Sequence, residues 1–226
     1  MKLAHLGSVV LACAFAAAQA PAKLSTVDPR TKAACGISPG GALKCPRFRF
    51  AYKIPFGWVD RTADFEEQAQ PASGEDGNNP QAQGQAAPIE RPSSAAAETL
   101  LAVFERPPAA PGDTINSAVV IAAEPLGNYR RVKTAVDYFG AINEVAEQRG
   151  FKVVEGPYAF PVGRKQLVRS DFSQQRGKLT MWQSSLVMIE RGYIVSFTVI
   201  GGSQDENDEL ISNLSFASPS SPSVKR

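Results

Sequence analysis

Residues 179–200 read LTMWQSSLVMIERGYIVSFTVI, and this stretch decides the fold. Residues 179–189 make one long strand and Arg191-Gly192 a tight hairpin. The apolar, β-branched run at residues 193–200 supplies the returning strand. Gly201-Gly202 stops it, and Ser203 with Glu206 makes an S-x-x-E capping box that opens a closing helix with Leu210, Ile211 and Leu214 facing inward. Upstream, residues 166–172 alternate as a strand and 173–177 turn, completing a three-stranded meander.

Before the meander, residues 131–149 form the strongest helix. Thr134 and Asp137 make a variant capping box, Val136, Phe139, Ile142 or Asn143, and Ala146 trace an apolar stripe, and Gly150 sits at the C-terminal cap. Residues 100–105 and 117–124 are apolar enough to be buried strands. Phe48, Phe50, Tyr52 and Ile54 alternate with Arg47, Arg49, Ala51 and Lys53, the period of a half-buried strand, and Pro55-Phe56-Gly57-Trp58 turns the chain. Between these strands, residues 63–97 are Gln, Ala, Pro, Gly and acidic, with too little apolar surface to offset the entropy of ordering; they read as a disordered insertion. A tail at 217–226 reads the same way. No internal repeat is visible.

Residues 1–20 read as a signal peptide. Lys2 precedes an Ala-rich apolar run at 3–18 that is short for a membrane span, with small residues suited to cleavage around Ala16, Ala18 and Ala20. This reading prevails over a retained membrane anchor. Val10-Leu11-Ala12-Cys13 offers an alternative, a lipobox whose Cys13 would carry a lipid anchor. The expected location is therefore exported, periplasmic or extracellular, with a lipoprotein held through Cys13 as the alternative. Residues 21–46 read as a linker or arm. Within it Cys35 and Cys45 bracket the turn Ser38-Pro39-Gly40-Gly41, and an even pair in an exported chain reads as a disulfide. A redox pair would want C-x-x-C spacing, and a metal site would want further ligands.

What remains, about 135 residues between 47 and 216, suits one hydrophobic core. Hairpin connections dominate and only one crossover carries a long helix. The expected class is α+β, a mostly antiparallel sheet flanked by helices.

The chain has 226 residues, 24 Lys+Arg against 22 Asp+Glu, and a single histidine. A net charge of +2 gives no bulk reason to expect nucleic acid as a partner. His5 lies in the leader, so the mature protein would lack imidazole, which excludes Ser-His-Asp and Cys-His catalysis and His-ligated zinc. There is no G-x-G-x-x-G, P-loop, G-x-S-x-G or S-x-x-K in the folded region, and no cofactor, metal or catalytic residue is expected. The acidic run at 204–209 lacks a calcium-loop ladder and reads as helix capping. Glu66-Glu67 and Glu75-Asp76 fall in the insertion, where carboxylates are solvated rather than held for acid–base work. Trp58, Trp182, Met181 and Met188 read as core or hairpin residues, and Asn213-Leu214-Ser215 is a sequon at a helix end. The densest basic cluster, Tyr129, Arg130, Arg131 and Lys133, is the candidate partner-binding site, suited to a phosphate or an acidic partner surface. Arg164, Lys165, Arg47, Arg49 and Lys53 extend it only if the fold gathers them.

The order of features resembles the PsbP and Mog family, which includes the extrinsic photosystem II subunit, the nuclear Ran-binding protein and exported bacterial relatives. The likeness rests on Phe50-Ala51-Tyr52-Lys53-Ile54-Pro55-Phe56-Gly57-Trp58, similar to the family's F-x-x-x-x-P-x-G-W. It rests also on the helix beginning Thr134-Ala135-Val136-Asp137-Tyr138-Phe139, and on the strands through Trp182 and Tyr193 with the closing Asn213-Leu214-Ser215-Phe216. The resemblance implies an antiparallel sheet flanked by helices and a non-catalytic protein-binding or assembly module, with no functional residue to carry over. The insertion at 63–97 departs from the pattern. The alternative function is a small-ligand-binding or histidine-independent hydrolytic protein of the cell envelope, which would need a pocket lined by converging polar groups.

Overall fold

The hairpin of residues 179–201 lies inside a large sheet because apolar side chains project from both of its faces. The computed structural model describes residues 34–69, 97–107, 110 and 112–216. In it β9 (Leu179–Glu190) and β10 (Tyr193–Gly201) pair antiparallel from Glu190↔Tyr193 to Trp182↔Gly201. Around them stand β4 (Val59–Asp60), β5 (Glu98–Phe104), β6 (Ala118–Pro125), β7 (Lys152–Val162) and β8 (Lys165–Arg176), in the order β4-β5-β6-β10-β9-β8-β7. A second sheet has the order β1-β2-β3-β11, from β1 (Gly36–Ser38), β2 (Ala42–Cys45), β3 (Phe50–Lys53) and β11 (Leu214–Phe216). All pairings between these strands are antiparallel. The class is α+β, mostly antiparallel β with helices on its surfaces.

The two sheets sandwich the main core. Leu43, Phe48, Phe50 and Tyr52 on one side meet Leu101, Ile121, Leu186, Val195, Phe197 and Val199 on the other. Phe50 packs edge-on against Phe197 at 5.2 Å and Phe48 against Tyr193 at 5.5 Å, geometries that suit the ring quadrupoles. The opposite face of the large sheet is covered by α2 (Ala135–Gln148). Tyr138 and Phe139 of this helix lie on Val187 and Ile194, and Ala146 lies with Phe151 and Phe172.

Several expectations need correction. Residues 36–45, read as part of an arm, are a hairpin of the small sheet, with Leu43 and Cys45 buried; two inward positions are too few to show a period beside Gly and Pro. Cys35 and Cys45 form the disulfide. Residues 63–69, read as the start of the insertion, belong to α1 (Thr62–Ala69), begun by Asp60 accepting from both the amide and the hydroxyl of Thr62. Phe65 anchors this helix on Phe104 at 5.9 Å. The main helix starts at Ala135 rather than 131, and Val136 is exposed, not part of the stripe. β8 continues to Arg176 instead of turning at 173.

β7 has no counterpart among the strands expected from the sequence. Its side chains are largely exposed, so it shows no apolar period, and Gly156, Pro157 and Pro161 resemble loop composition. It is nonetheless the edge strand beside β8, with register shifts between Val153 and Glu155 and between Glu155 and Tyr158. The closing helix α3 (Gln204–Ser212) ends earlier than expected, and Leu214–Phe216 turn into β11 against β3. The signal peptide, Cys13, His5, residues 70–96 and the tail at 217–226 lie outside the described residues.

Because the disulfide ties β1 to the buried end of β2, reducing it releases a short loop in the unfolded chain. The expected loss, read from urea unfolding with and without reductant, is about 2–3 kcal/mol.

Candidate functional site

The chain leaves β6 at Pro125, makes a 3-10 turn at Leu126–Asn128, and presents residues 129–133 at the end of the sheet where β10 begins, since Pro125 pairs with Tyr193. Val132 is buried and pins the segment to the sheet below α2. Tyr129 is half-buried rather than offered to solvent. Its ring stands edge-on to Tyr138 at 5.2 Å and its hydroxyl donates to the Glu124 carboxylate. Tyr138 donates to the other Glu124 oxygen at 2.7 Å, and burial together with this carboxylate pushes the Tyr138 hydroxyl far above its ordinary range. The candidate site therefore divides: Tyr129 is a structural anchor, while Arg130, Arg131 and Lys133 are exposed.

α2 begins directly after these cations. Thr134 caps it, accepting from the Asp137 amide, and the Asp137 carboxylate accepts from the amides of Lys133 (2.9 Å) and Thr134 (2.7 Å). Those backbone donors hold the Asp137 carboxyl below its ordinary value. The carboxylate nearest the basic segment is thus committed to the backbone.

Of the residues that were to extend the cluster only if the fold allowed, Lys165 pairs with Glu190 at 2.6 Å and Arg47 with Glu98 at 2.7 Å. Arg47 also lies over the Tyr193 ring at 4.1 Å. Both belong to the same end of the sandwich as residues 129–133. Lys53 follows β3 to the opposite end, beside Asn213.

A second polar group was not anticipated. Arg169 and Asp171, 4% and 2% exposed, point from β8 toward α3 in phase with the buried Leu167; charges at inward positions of an alternating strand were the available signal. Arg169 bonds Asp171 at 2.9 Å and Asp208 of α3 at 2.6 Å, and stands over the Phe160 ring at 4.9 Å. Burial alone would lower the guanidinium; the bonds to Asp171 and Asp208 outweigh it and raise its pKa. Ser184 donates to Asp171 at 2.5 Å and accepts from Arg169 and from Asn207, each at 3.2 Å. Tyr158 donates to the remaining Asp171 oxygen at 2.8 Å, and burial and this carboxylate raise its pKa. A hydroxyl beside a carboxylate invites a nucleophile reading. Ser184, however, is 1% exposed and its oxygen already accepts two hydrogen bonds, so it offers neither access nor a free lone pair. The group works as a fastener between α3 and the sheet.

A depression of about 220 Å³ is lined by Cys35, Ile37, Leu43, Asp60, Thr62 and Glu98 among others. Ligand pockets usually measure about 300–1,000 Å³. Among the described residues no cluster of three His, Cys, Asp or Glu is placed to hold a metal.

No protein family matches this sequence, and no curated protein matches it. Among solved structures it is similar to cyanobacterial PsbP (CyanoP) from Synechocystis sp. PCC 6803, at 11% identity and a TM-score of 0.45, covering 86% of this chain and 99% of that one. It is also similar to LpqN, described as involved in cell envelope biogenesis of Mycobacterium tuberculosis, at 11% identity and a TM-score of 0.31, covering 80% and 87%. A third match is a Pseudomonas aeruginosa protein of unknown function, at 18% identity and a TM-score of 0.33, covering 45% and 69%. At these identities and scores the likenesses assign this chain neither an activity nor a partner.

Three outcomes are expected. Asp171→Ala removes the buried carboxylate partner of Arg169, leaving it Asp208 alone as a counter-charge, and lowers unfolding free energy by about 3 kcal/mol in urea titration. Thr134→Ala costs about 1 kcal/mol. Because the folded-state pKa of Asp137 is depressed, its contribution is present above the ordinary carboxylate range and lost as pH falls through the folded value. Asp137→Asn should therefore flatten the acid limb of a stability-versus-pH curve.

Proposed function

We propose that this chain is an exported, non-enzymatic docking module that binds a protein partner in envelope or complex assembly. The observation carrying this reading is Phe56, 106% exposed at the tip of the Pro55–Trp58 turn. Pro55 and Gly57, at φ +83°, set the turn, the Trp58 amide donates to the Pro55 carbonyl at 3.4 Å, and Trp58 packs on the main core. An aromatic ring held outward on a rigid turn loses little freedom on binding and has the character of an interface anchor. Residues 129–133 give the module a second, basic contact surface at the other end of the sandwich.

Export is supported by the Cys35–Cys45 disulfide, which fits an oxidising compartment, and by the leader-like residues 1–20. Among the described residues no helix is long and apolar enough to cross a membrane. A non-catalytic role is supported by the burial of Ser184, whose oxygen already accepts from Arg169 and Asn207. The small depression beside the disulfide ranks a ligand-binding or hydrolytic role second.

The test is affinity capture of the tagged, exported protein from its native envelope, beside Phe56→Ala. Recovery of one reproducible protein that falls at least tenfold with Phe56→Ala, at an unchanged thermal midpoint, is expected. A preparation carrying a small molecule and no protein, or recovery indifferent to Phe56, overturns the reading.

A further inference from the structure

Among the described residues, two that are not glycine have positive φ: Arg49 at 62° and Arg191 at 51°. Glycine or asparagine reaches this conformation far more cheaply than a long side chain does. Arg191 opens a two-residue hairpin with Gly192 at φ 78°, where Asn-Gly is the favoured pair. At two separate turns the chain keeps an arginine against its backbone preference.

Both turns sit at one end of the sandwich. Arg191 joins β9 to β10, and Arg49 immediately precedes β3, between Phe48 and Phe50, which pack edge-on against Tyr193 and Phe197. Residues 129–133 and the β7–β8 turn carrying Arg164 belong to the same end, since Pro125 pairs with Tyr193 and Lys165 bonds Glu190. Arg49, Arg130, Arg131, Lys133, Arg164 and Arg191 are all exposed there. The neighbouring carboxylates are engaged: Glu98 by Arg47, Glu190 by Lys165 at 2.6 Å and at the looser distance of 4.0 Å by Arg191, Glu124 by two tyrosines and Asp137 by the α2 cap.

The chain also joins the body at this end, because Cys35 is bonded to Cys45 and Cys45 pairs with Phe50. A lipid on Cys13, the alternative to removal of residues 1–20, would bring this end toward the bilayer first. We propose that the basic end seats on an anionic bilayer, with these six cations against the phospholipid headgroups. The inference rests on the exported reading and leaves Phe56, at the far end, clear for a protein partner.

The experiment uses the exported protein carrying Cys13→Ser, so that no acyl chain contributes. It is sedimented with vesicles of phosphatidylcholine alone, or of two parts phosphatidylcholine to one part phosphatidylglycerol, and the ratio of anionic to neutral partition is read. The ratio should be well above one and should fall with added salt. R49N/R191N should lower it by about 25-fold, at about fivefold per cation near the surface, with a thermal midpoint equal to or above the parent's. R130Q/R131Q/K133Q, which leaves both turns untouched, should lower it in the same direction. The far-end variant K152Q/R176Q/K178Q should leave it unchanged. A parental ratio near one, equal losses in near-end and far-end variants, or binding of poly-glutamate but not of anionic vesicles overturns the proposal. Loss of vesicle binding alongside intact Phe56-dependent capture sinks this inference alone.

Discussion

The β9–β10 hairpin has two apolar faces, and both must be covered. Leu186, Met188, Val195, Phe197 and Val199 face one way, Val187 and Ile194 the other. Water on either face would forfeit about 1.5–3 kcal/mol for each large side chain left uncovered. The small sheet answers the first face and α2 the second, so the three-layer arrangement follows from one hairpin. The small sheet is itself too narrow to stand alone. It is closed by β11, drawn from the far end of the chain, and by the disulfide at β1.

The sequence made the hairpin, β3, β5, β6 and the capped helix legible because each shows either a buried run or a period matching its conformation. Thr134 and Asp137 behave as their spacing implies. Elements held by tertiary partners were not legible. β7 survives through its ladder to β8 with little buried surface, so no periodicity marks it. β11 follows α3 so closely that its Leu214 continues the helical spacing of Leu210 and Ile211, and only the pairing with β3 makes it extended. β2 has two buried residues, Leu43 and Cys45, too few for a pattern.

The same division holds for the sites. The basic segment was visible as composition, but that Tyr129 turns inward depends on Glu124 and Tyr138, which are distant from a reading of the cluster alone. The Arg169–Asp171–Asp208 group gathers residues from β8 and α3, 39 positions apart at the widest. A buried pair of this kind is weak evidence for net stability, but it fixes where the helix sits, since any slip of α3 leaves charge unpaired.

β7 is eleven residues long and lies at the rim of the large sheet, a row of main-chain groups that could otherwise template the addition of a foreign strand. Pro157 and Pro161 remove two of its amides, and the two register breaks near Glu155 keep it from lying flat. An incoming chain would find neither a straight ladder nor a full set of donors. The strand that looks least ordered in composition is therefore a poor template for edge-to-edge pairing.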